Sequence, residues 1–237
     1  MPRVMPSRLA MLILAVHLGL GTGAALAEEP NLSASPDGAP GAVTRMVLAD
    51  ALWRQGLASG EWLYLLTAIR LARSVTLQPA SGWERQTVGE PQNGPATGAF
   101  AGRAAAPDLT GAAALAILRN LAEEDPMLRD LVYDLDAQIP RSPAATAVFA
   151  EADLAPGQTD TWRIVLYGEV PAELGVIGDG DSLLGLSLRD HTGAELCAVP
   201  PSPGRTLCRV TPAQNGFFTL SVQTSGTKVN RYRLIGN

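Results

Sequence analysis

An α+β chain in two segregated parts is what this sequence predicts: a helical segment first, then an antiparallel β-sandwich. Two patterns carry that expectation. Apolar residues between Val43 and Ile139 recur at helical intervals, whereas from about Ala144 they alternate at every second position. A third observation concerns the chain's destination. It opens with Arg3 and Arg8, continues with an apolar run from Leu9 to Leu20, and reaches the small residues Ala25-Leu26-Ala27. That is the pattern of a cleavable export signal.

Residues 1–27 therefore read as a signal peptide cut after Ala27. The apolar run is shorter than the ~20 residues a spanning helix needs, and Gly19, Gly21 and Gly23 interrupt its far end. A lipid anchor would require a cysteine at the new N-terminus, and the two cysteines are Cys197 and Cys208. The expectation is an exported protein, periplasmic or extracellular, neither lipoprotein nor integral to the membrane after cleavage. The formal net charge is −5 for the whole chain, and it grows more negative once Arg3 and Arg8 leave. Nucleic-acid binding relies on clustered positive charge, so that class of partner is set aside.

Residues 28–42 are rich in Pro, Ser, Gly and Ala without a period, which predicts a flexible leader that adds nothing to the core. The helical part is placed at 43–140. Val43, Met46, Val47, Leu52, Trp53 and Leu57 define a first amphipathic helix. Gly56 and Gly60 punctuate it, Ser59 is a candidate cap, and Trp62, Leu65, Leu66, Ile69 and Ala72 restart the period to about Leu77. A connection that short predicts an antiparallel pair. Residues 78–107 are crowded with Pro and Gly and predict a long loop, with Trp83 and Phe100 as its large apolar groups, docked on the helices. A third helix follows from Asp108 through Leu121. Asp125-Pro126 then supplies an N-cap and a first-turn proline for a fourth, which Pro140 ends. An ordinary four-helix bundle is the preferred arrangement.

From 146 to 237 the alternation predicts half-buried strands. Trp162, Ile164 and Leu166 face away from Arg163, Val165 and Tyr167, and the same holds for Leu184, Leu186, Leu188 and for Phe218, Leu220, Val222. With turns at Gly157, Pro171, Gly193, Pro203, Gly216 and Gly226, about eight short strands are expected. Cys197 and Cys208, an even pair in an exported chain, predict a disulfide across a turn.

The order of motifs in this second part resembles the bacterial pre-peptidase C-terminal domain. The residues that carry the resemblance are Gly178-Asp179-Gly180-Asp181-Ser182, the strand Leu184 to Asp190 with the turn His191-Thr192-Gly193, Thr211 to Leu220, and the closing Asn230-Arg231-Tyr232-Arg233-Leu234. It covers roughly the last third of the chain and leaves the helical part unexplained. The resemblance implies a jelly-roll sandwich and, in some members, calcium. Here Leu183 and Gly185 stand where the family usually has acids. Calcium at Asp179, Asp181 and Asp190 would then need backbone carbonyls and water to complete its shell; a solvated Gly-Asp turn is the simpler reading. No other cofactor is expected.

Catalytic signatures are sparse. His191 is the one histidine beyond the signal, and no Gly-x-Ser-x-Gly elbow accompanies it. Carboxylates stand at Glu123, Glu124 and Asp125, and at Glu169 and Glu173 around Pro171, where solvated faces or caps are the usual reading. The preferred expectation is a non-catalytic envelope or secreted protein, binding another such protein or a polymer ligand. The rival is a small hydrolase or carbohydrate-active protein whose carboxylates, with Glu84, Trp62 and Trp83, line a groove between the parts. Tryptophans packed into the interior favour the first, and an exposed aromatic strip beside paired acids favours the second.

Overall fold

The computed structural model describes residues 29–33, 41–92, 107–123, 125–137, 145–180, 182–202 and 206–237. The expected signal peptide, most of the expected leader, Phe100, Glu124, Asp181 and Pro203 lie outside the described residues. Four helices are present, α1 Ala42–Ser59, α2 Trp62–Arg73, α3 Ala112–Leu121 and α4 Pro126–Ala137. α1 stops at Gly60, whose φ of 68° closes the helix through its N–H to the carbonyl of Gly56. Asp125 caps α4, its Oδ1 accepting the N–H groups of Met127 and Leu128. Ser59 is not a cap for α2; its hydroxyl donates back to the carbonyl of Gln55.

The helical and β parts are less segregated than the sequence suggests. Val75–Pro79 is strand β1 and Glu84–Val88 is strand β2, in the stretch where a continued helix and then a long loop were expected. The β-branched Val75 and Thr76 favour the extended state once the helix has ended at Ser74. Eight further strands follow: β3 Ala145–Leu154, β4 Thr159–Leu166, β5 Ala172–Gly178, β6 Leu183–Arg189, β7 Glu195–Ser202, β8 Thr206–Val210, β9 Gly216–Ser225 and β10 Asn230–Gly236. One sheet has the order β1-β3-β10-β5-β8 and the other β2-β4-β9-β6-β7. All pairings are antiparallel except β1 with β3. β1 and β2 thus extend the two sheets on the same side, one beyond β3 and the other beyond β4.

Three layers result. Inward-facing residues of the two sheets, among them Trp162, Ile164, Leu166, Leu186, Phe218, Leu220, Tyr232 and Leu234, form one core. The opposite face of the first sheet, through Val75, Ala147, Ile177 and Ile235, joins the helices in a second core with Val43, Trp53, Leu65, Ile69 and Leu118. The alternation in the sequence places each strand residue on its face because successive side chains point to opposite sides. α1 lies closest to β5, where Gly175 leaves room: a Cβ there would stand 2.8 Å from Val47 and 2.9 Å from Val43. The outer face of the second sheet has no helix over it among the described residues.

Candidate functional site

Most carboxylates that could serve chemistry are committed to holding the fold. Asp160 opens β4 in the same alternation as Trp162, Ile164 and Leu166, and is fully buried. Its Oδ2 accepts the Tyr232 hydroxyl at 2.6 Å and pairs with the Arg85 guanidinium at 2.9 Å, while Oδ1 accepts the hydroxyl of Thr87 at 2.5 Å. Trp162 in turn donates its indole N–H to the Tyr232 oxygen at 2.8 Å. Burial, reinforced by the Asp160 carboxylate, pushes the Tyr232 phenol well above its ordinary range. A tyrosine held protonated and a carboxylate saturated by donors are suited to anchoring β2, not to turnover.

Glu173 on β5 is buried and caps a helix from outside it. Its oxygens accept the backbone N–H groups of Gly41 and Thr44 and the Thr44 hydroxyl, and the Arg209 guanidinium chelates Oε1. Four unpartnered N–H groups mark a helix start, and a carboxylate there also meets the positive end of the helix dipole. Burial opposes the charge, yet these donors outweigh it and hold the carboxyl below its ordinary value. Glu84 pairs with Arg163 and Glu169 accepts the Ser33 hydroxyl. Asp50 on α1 differs: one oxygen accepts from Arg54, the other is buried without a hydrogen-bond partner among the described residues, and burial raises its carboxyl above the ordinary value.

Asp190 is buried at the end of β6. One oxygen accepts Thr192 N–H, Thr192 hydroxyl and Ala194 N–H, and the other accepts Asn31 N–H. Burial again opposes ionisation and the hydrogen bonds prevail, so its carboxyl also sits below the ordinary value. His191 is exposed in the turn that this carboxylate organises. Asp179 lies before β6, where its Oδ2 accepts Arg231 N–H. The whole of β6 separates Asp179 from Asp190, on the order of 20 Å for seven extended residues, so the fold does not bring these two members of the expected calcium set to one ion. Arg54 donates to the carbonyl of Gly178 and stands beside Gly180, bringing a guanidinium to the acidic turn. No cluster of three or more His, Cys, Asp or Glu able to hold a metal occurs among the described residues.

The two candidate binding tryptophans are packed and lie in different cores. Trp62 is half-buried against the helical core. Trp83, expected on the helices, instead closes the mouth between the sheets: it meets Trp162 edge-on with centroids 6.4 Å apart and covers Gly236. Trp53 and Trp162 are buried. Cys197 and Cys208 form the expected disulfide, linking β7 to β8 with Cα atoms 6.0 Å apart.

The part of N-terminal chain that is described also departs from expectation. Asn31 is buried: its amide exchanges hydrogen bonds with the backbone of Gln214, and Ser33 N–H donates to the carbonyl of Thr211. Residues 29–33 thus tie three turns at one end of the sandwich.

What remains open to a ligand is apolar surface. Between α1, α2 and α3 lies a shallow, mostly apolar cavity of about 250 Å³ lined by Gly56, Leu57, Gly60, Leu65, Ile117, Asn120 and Leu121. Leu57, Ile117 and Leu121 are exposed there, and elsewhere on the helices so are Leu63, Tyr64, Met127 and Tyr133, the last two by about three-quarters. Leu57, Ile117 and Leu121 fit the apolar helical period that predicts burial, so the pattern alone does not set them apart from the core residues. The set of Arg85, Asp160 and Tyr232 has one local signal in the sequence, a carboxylate at an inward strand position, with Tyr232 prominent there only as part of the closing motif. No helix among the described residues is long and apolar enough to cross a membrane. No protein-family model matches the chain, and no curated protein matches it in sequence.

Proposed function

We propose that this is a non-catalytic exported protein of the bacterial cell envelope whose helical layer contacts another envelope or secreted protein. The observation that carries the reading is the apolar groove of Leu57, Ile117 and Leu121, with more exposed apolar side chains on the same helices, in a chain where the buried carboxylates of Asp160, Glu173 and Asp190 are taken up by structural donors. Packing of Trp62 and Trp83 into two separate cores favours this over the carbohydrate-active alternative. Export rests on the N-terminal sequence. The jelly-roll, pre-peptidase-like reading of the second part is supported by strand order, since β3-β10-β5-β8 facing β4-β9-β6-β7 is the pairing two interleaved Greek keys produce.

A photo-crosslinking residue at Leu121 in the exported chain tests the reading. One reproducible protein adduct, lost when Ile117 is changed to Asp, is the expected result. A hydrolytic activity that vanishes with a single carboxylate substitution would overturn it.

A further inference from the structure

The sandwich has its own exposed apolar cluster, at the end where the described N-terminal chain is tied down. Val165 on β4 and Phe217 on β9 are cross-strand partners on the uncovered face of the second sheet, and both are about half exposed. Tyr167 follows on the same face, 63% exposed, and Val170 closes the turn by donating its N–H to the Tyr167 carbonyl. Leu32, also exposed, sits between Asn31, held by Gln214, and Ser33, held by Glu169 in that turn. Arg163 lies over the Phe217 ring at 3.5 Å. The other exposed large apolar residues of the sandwich, Val88 and Leu183, are at the far ends of these strands.

Where the chain goes from here names the occupant. Glu29 begins the tied segment, and the apolar run Leu9 to Leu20 ends only nine positions before it. An extended linker of that length reaches about 30 Å at most, so while the run is in a bilayer this end of the sandwich is held within reach of the same membrane. We propose that the Leu32, Val165, Tyr167, Val170 and Phe217 end is a lipid-facing surface that rests on the membrane interface. Aromatic and aliphatic side chains suit the headgroup boundary, where the rings and methyls enter the acyl edge and Arg163, which pairs with Glu84, stays on the polar side. Asn31 and Ser33 hold Leu32 in the patch through contacts that do not involve residues 1–27.

The test is flotation of the processed full-length chain with vesicles of phosphatidylethanolamine containing a minority of phosphatidylglycerol. Lipid is the sole partner present, so a protein receptor cannot produce the signal. The variant Tyr167→Ser/Val170→Ser/Phe217→Ser should reduce the floated fraction by about tenfold, whereas Val88→Ser/Leu183→Ser at the opposite end should leave it unchanged. All five positions are exposed, and unaltered thermal melts verify that the variants fold. Absence of flotation by the unmodified protein, equal flotation of the first variant, or equal loss in the second would each overturn the proposal.

Discussion

Changing Arg85 to alanine tests the account of how β2 is held. Every residue of β2 is exposed, so little apolar burial secures the strand. Its side chains instead converge on Asp160, which is fully buried and accepts from Arg85, Thr87 and Tyr232. Removing one partner of a buried ion pair leaves the other charge desolvated, at a cost of about 3–5 kcal/mol. The Arg85 side chain is 32% exposed, so solvent screens part of the interaction, and about 2–3 kcal/mol is expected. For a chain of this size that corresponds to about 5–10 °C in Tm. Urea denaturation followed by tryptophan fluorescence reads the loss, with Trp83 and Trp162 in contact beside the pair. In an Asp160→Asn background the carboxylate is gone, and Arg85→Ala should cost less than half as much. A cost below about 0.5 kcal/mol, the level of a surface pair, or an equal cost in both backgrounds, would refute the reasoning.

Three other expectations follow from the same structure. Glu173→Gln should destabilise the protein at neutral pH and flatten its acid unfolding. The folded-state pKa of Glu173 lies below its ordinary 4.5, so its contribution is present above that value and lost as pH falls through the lowered one; chemical denaturation at several pH values checks the sign. Replacing Cys197 and Cys208 by serine opens a loop of sequence separation 11 and should cost about 2–3 kcal/mol, measured against the oxidised chain by calorimetry. Gly175→Ala should cost about 1–3 kcal/mol, because the new methyl meets Val43 and Val47 under α1; an unchanged denaturation midpoint would show that the helix shifts freely on the sheet.

Much of the architecture can be read from local pattern, and the exceptions have a common cause. Trp162, Ile164 and Leu166, or Phe218, Leu220 and Val222, alternate because one face of each strand is buried, and the burial follows them residue by residue. The pairing of Asp125 with Pro126 announces the start of α4 just as directly. β1 and β2 lack such a signal. They are five-residue edge strands whose partners stand far away in sequence, Val75 beside Ala145 and Glu84 beside Arg163, and β2 has no buried face to create alternation. Asn31 illustrates the same limit: in sequence it belongs to a Pro- and Ser-rich stretch, and only its meeting with Gln214, 183 residues later, makes it part of the fold.

By itself, then, the amino-acid sequence determined where helical periodicity gives way to strand alternation, which cysteines are present to pair, and which side chains face inward, since each depends on neighbours within a few positions. Tertiary structure alone decided that residues 75–88 complete both sheets, that Glu173 caps α1, that Asp179 and Asp190 stand apart, and which apolar side chains stay uncovered. Those outcomes depend on hydrogen bonds and packing between segments tens of residues apart, and no local pattern encodes such meetings.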